Sequence, residues 1–504
     1  HAVADLERVH ALFVSLRAYN DAVRALELKV QVHQQAEERE RVLTRMAQVS
    51  AEGLENLDRA IELYRELLAK NARNEQAFTA LEGLLEKSGR HEELRKLLAD
   101  RLAQTLDPRE VVRLNERLGR VLYRLLKQPE AAVSHLKAAL DRDARHRGVL
   151  DTLRELYEET AQAEELVGIL RRLVPLQEAA EGVKALRLRL AEVLSGMGRR
   201  EEALDAARRA LEVEPHAVAD LERVHALFVS LRAYNDAVRA LELKVQVHQQ
   251  AEEREQAVAT WFAVADLWTG AGNKPELAGG ALEKVLELDP ANRTAYERVC
   301  ELYRANKDWR AYAQVVDRYL PHLVTEEEKL ATLKELAKVQ EERLGQKDVA
   351  FLALCRALQL DASDDMLREE VERLADETGS HEELAAVYEE VADALPRGPL
   401  AERMYATLAR VHDLKLDDAQ AAEGALRKIL EFDPTNATAL DGLAGMFQRR
   451  GREREYVVAL EQKIEAAGSI EARKAILREI ARVQDEQGDP DEAASALLRA
   501  LELE

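Results

Sequence analysis

Residues 188–215 read LRLAEVLSGMGRREEALDAARRALEVEP, and this stretch decides the fold. Its first part carries Leu190, Ala191 and Leu194 at the spacing of one helix face, so these residues form an apolar stripe. Gly198 follows at a position where a residue without a Cβ atom can end the helix. The first half of the stretch therefore predicts a helix and a tight turn.

The second half of the stretch predicts another helix, packed against the first. Ala203 and Ala210 are seven residues apart and share one face of that helix. Both side chains are small, so they allow a neighbouring helix to approach closely. Pro215 then ends the segment, because proline cannot continue a helix. The whole stretch is a predicted helical hairpin.

A short signature in this hairpin recurs through the chain: an apolar residue, a small residue, any residue, then Val or Leu. It occurs seven times, with spacings of 72, 72, 74, 72, 72 and 72 residues between the small positions. Such regularity is the mark of a repeat protein built from stacked units. The small residues are Ala47, Gly119, Ala191, Ala265, Ala337, Ala409 and Ala481.

The hairpin resembles the tetratricopeptide repeat, which has small residues at the helix crossing, a glycine near the turn and a closing proline. The resemblance returns at Ala278 with LELDP ending at Pro290, and at Ala422 with LEFDP ending at Pro434. It implies an all-α, right-handed α-solenoid of stacked hairpins, with two hairpins in each 72-residue unit. It also implies a long array of the kind found in large bacterial repeat proteins.

The predicted organisation is one continuous superhelix over residues 1–504, equal in length to seven units. Each unit pairs a hairpin that carries the signature with a more divergent hairpin, and no separate non-repeat domain is visible. The expected division is a half unit at 1–42, units starting near 43, 115, 187, 259, 331 and 403, and a half unit at 475–504.

Composition and charge exclude several classes of protein. Aromatic residues make up 4% of the chain and charged residues 33%, which is typical of helices and not of sheet-based enzymes. The net charge of −22 argues against nucleic acid as a partner, because phosphate binding needs clustered cations. No apolar run reaches the length of a membrane span. The default expectation is a cytoplasmic segment, unless a periplasmic or surface signal lies outside these residues.

The residues do not predict an enzyme, a cofactor or a metal site. Cys300 and Cys355 stand in helical patterns and are expected to be buried. His91 and His381 each begin a HEEL sequence that lacks the second histidine of a zinc helix, so both are predicted helix starts. Trp261 and Trp268 are seven residues apart on one helix and are expected to pack in a helix core, the alternative being an aromatic ligand platform.

One feature is not explained by repeat divergence: residues 1–40 and 216–255 are identical. The chain also begins with one half of a unit and ends with the other half. These observations leave three interpretations open: a window on a longer array, protomers that stack head to tail, or an ordinary terminal trim.

The sequence therefore predicts a non-enzymatic scaffold that presents an extended concave surface, lined by the first helices, to a peptide or protein partner. The carboxylate clamp of some tetratricopeptide proteins is not expected, because the helix at 185–196 offers Leu188, Glu192 and Ser195 in place of basic residues. The alternative is a structural protein that assembles into filaments through its complementary ends. The identity of the partner is not predicted.

Overall fold

The structure is a computed structural model that describes residues 2–33 and 35–503. Every regular element in those ranges is helical, so the predicted all-α fold is confirmed. The α-helices are α1 Ala2–Ser15, α2 Tyr19–Val32, α3 Ala36–Gln48, α4 Leu57–Lys70, α5 Glu75–Lys87, α6 His91–Gln104, α7 Pro108–Arg120, α8 Pro129–Arg142, α9 Arg147–Glu159, α10 Ala163–Leu173, α11 Ala180–Gly196, α12 Arg200–Leu211, α13 Val218–Ser230, α14 Tyr234–Gln250, α15 Arg254–Thr269, α16 Pro275–Leu288, α17 Arg293–Asn306, α18 Trp309–Tyr319, α19 Glu326–Glu342, α20 Lys347–Leu360, α21 Asp365–Thr378, α22 His381–Ala394, α23 Pro399–Leu414, α24 Ala419–Phe432, α25 Ala437–Arg449, α26 Glu453–Ala466, α27 Ile470–Gln487 and α28 Pro490–Glu502.

The chain forms two compact units, residues 1–247 and residues 248–504. Inside each unit the helices pack against their neighbours in chain order, for example α7 on α8 and α11 on α12 in the first, and α19 on α20 and α27 on α28 in the second. We call the odd-numbered helices the first helices and the even-numbered ones the second helices. Consecutive helix pairs are thus confirmed, whereas the 72-residue boundaries and the right-handed superhelix stay predictions.

The first helices that carry the repeat signature are close-packed at its small residue. In α7 this residue is Gly119, where an added Cβ atom would lie 2.6 Å from Cδ2 of Leu136 on α8. That distance is well inside van der Waals contact, so the two helices meet where no side chain intervenes.

The turns within the signature hairpins use left-handed backbone whether or not a glycine is present. Gly198 has φ = +74°, as the hairpin predicts, but the corresponding turn after α7 places Lys127 at φ = +55°. A residue with a Cβ atom pays a steric cost of roughly 1–2 kcal/mol in this region. Glycine is therefore helpful at this turn without being required.

We expect Lys127→Gly to stabilise the first unit by roughly 0.5–1 kcal/mol, because relief of the left-handed strain exceeds the extra entropy of an unfolded glycine. Lys127 is exposed and has no ion-pair partner among the described residues, so no contact is lost. Gly198→Ala is the matched reverse change and should destabilise by a similar amount. Urea denaturation followed by circular dichroism measures both changes in the free energy of unfolding. If both variants were stabilised, or both destabilised, the proposed left-handed strain at Lys127 would be contradicted.

Other local expectations are also met. α6 begins at His91 and α22 begins at His381, so the HEEL sequences are helix starts. Cys300 and Cys355 are buried and unpaired, and burial raises the pKa of each thiol to about 12. Trp268 is buried in its helix pair, whereas Trp261 is only half-buried.

Candidate functional site

The residues of the repeat signature lie in the cores of the helix pairs. All seven small residues at the signature position are buried. The small residues of the second helices are also buried, whereas the prolines that follow are exposed. The buried residues are Ala47, Gly119, Ala191, Ala265, Ala337, Ala409, Ala481, Ala203, Ala210, Ala278 and Ala422. The exposed residues are the turn glycine and the three prolines: Gly198, Pro215, Pro290 and Pro434. These residues position the helices and leave other side chains to face a ligand.

One groove between successive first helices lies in the second unit, between α19 and α21, and has a volume of about 760 Å³. Its floor contains Ala337, Leu354 and Leu367, all of which are buried. Met366 stands at its edge with 69% of its surface exposed. The groove thus offers an apolar floor and an accessible thioether.

Charged side chains form the walls of this α19–α21 groove. Arg373 on α21 donates to Glu341 on α19 at 2.9 Å and to Glu370 at 2.7 Å, and these hydrogen bonds raise the pKa of its guanidinium. Lys334 Nζ donates to Asp364 Oδ2 at 2.5 Å, which lowers the pKa of that carboxyl group. Both walls are therefore held across the groove by charge-assisted hydrogen bonds.

Two further charged side chains of the α19–α21 groove form no ion pair across it. Lys338 and Glu342 both line it, both are exposed, and neither has an ion-pair partner in the part of the chain that the structure describes. They are four residues apart on α19 and so share one helix face. The groove consequently presents one cation and one anion to a ligand.

A second groove lies in the first unit, between α9 and α11, with a volume of about 430 Å³. Leu173 and Leu186 supply apolar surface, and Arg147, Arg154 and Arg189 supply cations. Nε of Arg154 is buried without a hydrogen-bond partner among the described residues. This buried donor is a polar group that a ligand carbonyl or carboxylate would satisfy.

A third groove, of about 290 Å³, lies in the second unit between α23 and α25. Its floor is formed by Leu426 and Met446. Asp413, on its α23 wall, accepts hydrogen bonds from Arg449 and from Arg450, the latter at 3.1 Å from Nε. A Cβ atom at Gly442 would lie 2.9 Å from Cδ2 of Leu426, so this glycine allows the close packing of the floor.

The three grooves share one arrangement that the sequence predicts only in part. The tetratricopeptide resemblance places a ligand surface on the first helices, and all three grooves lie there. The residues that line them were not predicted, because charge runs along a helix are usually solvated and their partners belong to the next hairpin. The cross-hairpin partners named above are 30 to 37 residues apart in the sequence, and opposite charges at that spacing are a signal that would have found them.

Over residues 2–33 and 35–503, no group of three or more His, Cys, Asp or Glu side chains is arranged to hold a metal ion. No helix in those ranges is both long and apolar enough to cross a bilayer.

Comparisons with known proteins give weak structural similarity. No protein-family model matches the chain, and no curated protein matches it. Among solved structures, the complex of Naa15/Naa10 bound to HypK-THB shares 13% identity and a TM-score of 0.30, covering 97% of this chain and 88% of its own.

Two further structures are similar at the same level. The APC/C hetero-tetramer Cut9–Hcn1 has 16% identity and a TM-score of 0.22, over 99% of this chain and 96% of its own. Yeast Tom70 has 13% identity and a TM-score of 0.23, over 98% of both chains. Similarity this low carries no argument, so the assignment rests on the helix pairs and their small packing residues. On that evidence the chain is an all-helical array of consecutive helix pairs.

Proposed function

We propose that the chain is a non-enzymatic scaffold that binds a peptide or protein segment in the grooves between successive first helices. The observation that carries this proposal is the repeated design of the three grooves: an apolar floor between walls of charged side chains. An extended peptide matches such a surface, because it offers side chains to the floor and polar groups to the walls.

The α19–α21 groove supports the sharpest form of the proposal. Met366 offers an exposed apolar contact, and Lys338 and Glu342 offer one charge of each sign. The ligand we infer is an extended peptide in which an acidic and a basic residue flank an aliphatic one. Opposite charges on the two partners would then fix the direction of the peptide.

The test is binding of the 504-residue chain to an array of nonapeptides that vary the charges around a central leucine. Lys338→Glu and Met366→Glu should each weaken binding of the retained peptides by about tenfold. Val324→Glu is the control, since Val324 is an exposed apolar residue of the same unit that does not line the groove. The proposal fails if the array retains no peptide, or if all three variants bind equally.

A second candidate function is homotypic assembly, and one observation favours it. Leu12 and Leu16 of the first hairpin are exposed, whereas Leu227 and Leu231 of the identical segment are half-buried, where α13 packs beside α11 and α12. The pair α27–α28 carries the same signature as α11–α12 and exposes Leu498 and its neighbours on α28. We propose that α27–α28 of one copy covers α1–α2 of another.

Light scattering across a concentration series tests this assembly. The expected result is a mass that rises with concentration, and Leu16→Glu should abolish the rise while Val324→Glu leaves it unchanged. Electron micrographs of the same samples should show filaments that the Leu16 variant lacks. A constant mass near the 56.7 kDa of one chain would exclude homotypic assembly and leave peptide capture as the function.

A further inference from the structure

A fourth cavity lies away from the first-helix grooves, on the second-helix side of the second unit. It has a volume of about 680 Å³ and is bounded by α18, α20 and the end of α19. Its lining combines aliphatic with polar side chains. Among the aliphatic ones, Leu336 and Ala353 are buried, and Val349 and Leu352 are exposed at 41% and 53%. Val349 and Leu352 are three residues apart, so they form one apolar ridge along α20.

One residue of the cavity lining has a buried, unpaired amide oxygen. Gln340 lines it, is only 7% exposed, and has an Oε1 atom that is buried without a hydrogen-bond partner among the described residues. The signature helix α11 has Leu194 at the equivalent place, three residues after the small residue, whereas α27 has Gln484 there, whose Oε1 is likewise buried without a partner among the described residues. A leucine therefore fits this place in the repeat, whereas a glutamine leaves a buried polar group unpaired. Gln340 differs from Gln484 in lining this cavity, where a ligand could recover that cost.

The rim of the cavity carries a cation that no other side chain neutralises. Arg310 on α18 is exposed and has no ion-pair partner within residues 2–33 and 35–503. The other guanidinium of the rim, that of Arg356, already pairs with Asp317 at 2.8 Å. The charged groups of the lining thus leave one positive charge for a ligand.

We propose that this cavity binds a peptide segment in which aliphatic residues are followed by an acidic residue. The aliphatic side chains pack on Val349 and Leu352, a main-chain N–H donates to Oε1 of Gln340, and the carboxylate pairs with Arg310. The site lies mostly on second helices and shares no lining residue with the α19–α21 groove, although both contact α19. It is therefore independent of them, and either site can fail without the other.

The probe is an amidated heptapeptide with N-terminal fluorescein and the sequence Gly-Ser-Leu-Leu-Glu-Ser-Gly, titrated with the 504-residue chain and followed by fluorescence anisotropy. We expect saturable binding that weakens by about tenfold when the centre becomes Leu-Leu-Lys or Ser-Ser-Glu. Absence of saturable binding, or equal binding of the three peptides, would overturn the proposal.

Variants of the chain locate the binding. Val349→Glu should remove it, whereas Leu277→Glu should not, because Leu277 occupies the same position of α16, 72 residues earlier, at 45% exposure. Met366→Glu, which alters the first-helix groove, should also leave this peptide bound. Loss of binding in the Leu277 or Met366 variant would show that the peptide binds elsewhere.

Gln340→Leu separates a ligand contact from a structural role. This change installs the residue that α11 has at the equivalent place, so the urea midpoint should stay the same or rise. Peptide affinity should nevertheless fall by about fivefold, the usual effect of one lost hydrogen bond. Unchanged affinity in this variant would contradict the proposed contact.

Discussion

Phe228→Ala is expected to destabilise the first unit by about 3–5 kcal/mol, the range for removing a fully buried aromatic side chain. Phe228 on α13 has no exposed surface. Phe13 on α1 stands in the identical 40-residue segment but is only half-buried. Phe13→Ala should therefore cost clearly less, because it leaves a smaller cavity and removes less apolar surface from the core.

Urea denaturation followed by circular dichroism measures this pair of variants. A repeat protein unfolds in parts, so the comparison uses the shift of the transition that both substitutions affect. The two variants share their neighbouring sequence over the whole segment, and helix propensity therefore cancels between them. Equal shifts would show that the two hairpins are equally buried in solution.

Gly279→Ala and Gly280→Ala are expected to have opposite effects, although the residues are adjacent in α16. A Cβ atom at Gly279 would lie 2.6 Å from Cε1 of Tyr303, a buried ring whose hydroxyl donates to Glu283. A Cβ atom added at Gly280 would have no heavy atom within 4 Å, apart from its chain neighbours and the nearby backbone of its own helix.

The expected cost of Gly279→Ala is about 1–3 kcal/mol, because a clash in a packed core outweighs the better helix propensity of alanine. The expected gain of Gly280→Ala is about 0.5–1 kcal/mol, since only the propensity changes. Thermal unfolding of each variant, compared with that of the parent chain, shows directly whether the substitution raises or lowers stability. A gain in both would mean that Tyr303 moves aside easily.

The surface that would meet a ligand was predictable only in outline. The resemblance to tetratricopeptide repeats indicates the first helices, and three grooves lie between them. The ion pairs of those grooves join side chains of different hairpins, as Arg373 and Glu341 do. The buried amide of Gln340 was not predicted either, because a glutamine in a helical pattern ordinarily faces water.

By itself, the sequence determined the helical hairpins and the positions at which they pack. Apolar residues at helical spacing form the stripes that must be buried, and a small residue in each signature lets two helices meet. The apolar stripes and the small crossing residues, such as Ala191 and Ala203, are encoded locally. They do not depend on helices beyond the next one in the chain. The structure places those residues in the helix pairs and buries them.

Only the tertiary structure decided where the identical segments turn. In the first copy α2 ends at Val32 and α3 begins at Ala36, whereas in the second copy α14 continues to Gln250 and α15 begins at Arg254. These breaks lie at positions of the shared segment that differ by three residues.

The physical reason is the packing of the helix that follows. Ala36 and Arg254 each begin a helix eleven residues before its small residue, Ala47 or Ala265, which must reach the crossing with the second helix. Burial at that crossing outweighs the local preference of the turn, since the turn residues are few and exposed. Gln35 and Glu37 therefore fold differently from Gln250 and Glu252, their copies in the second segment.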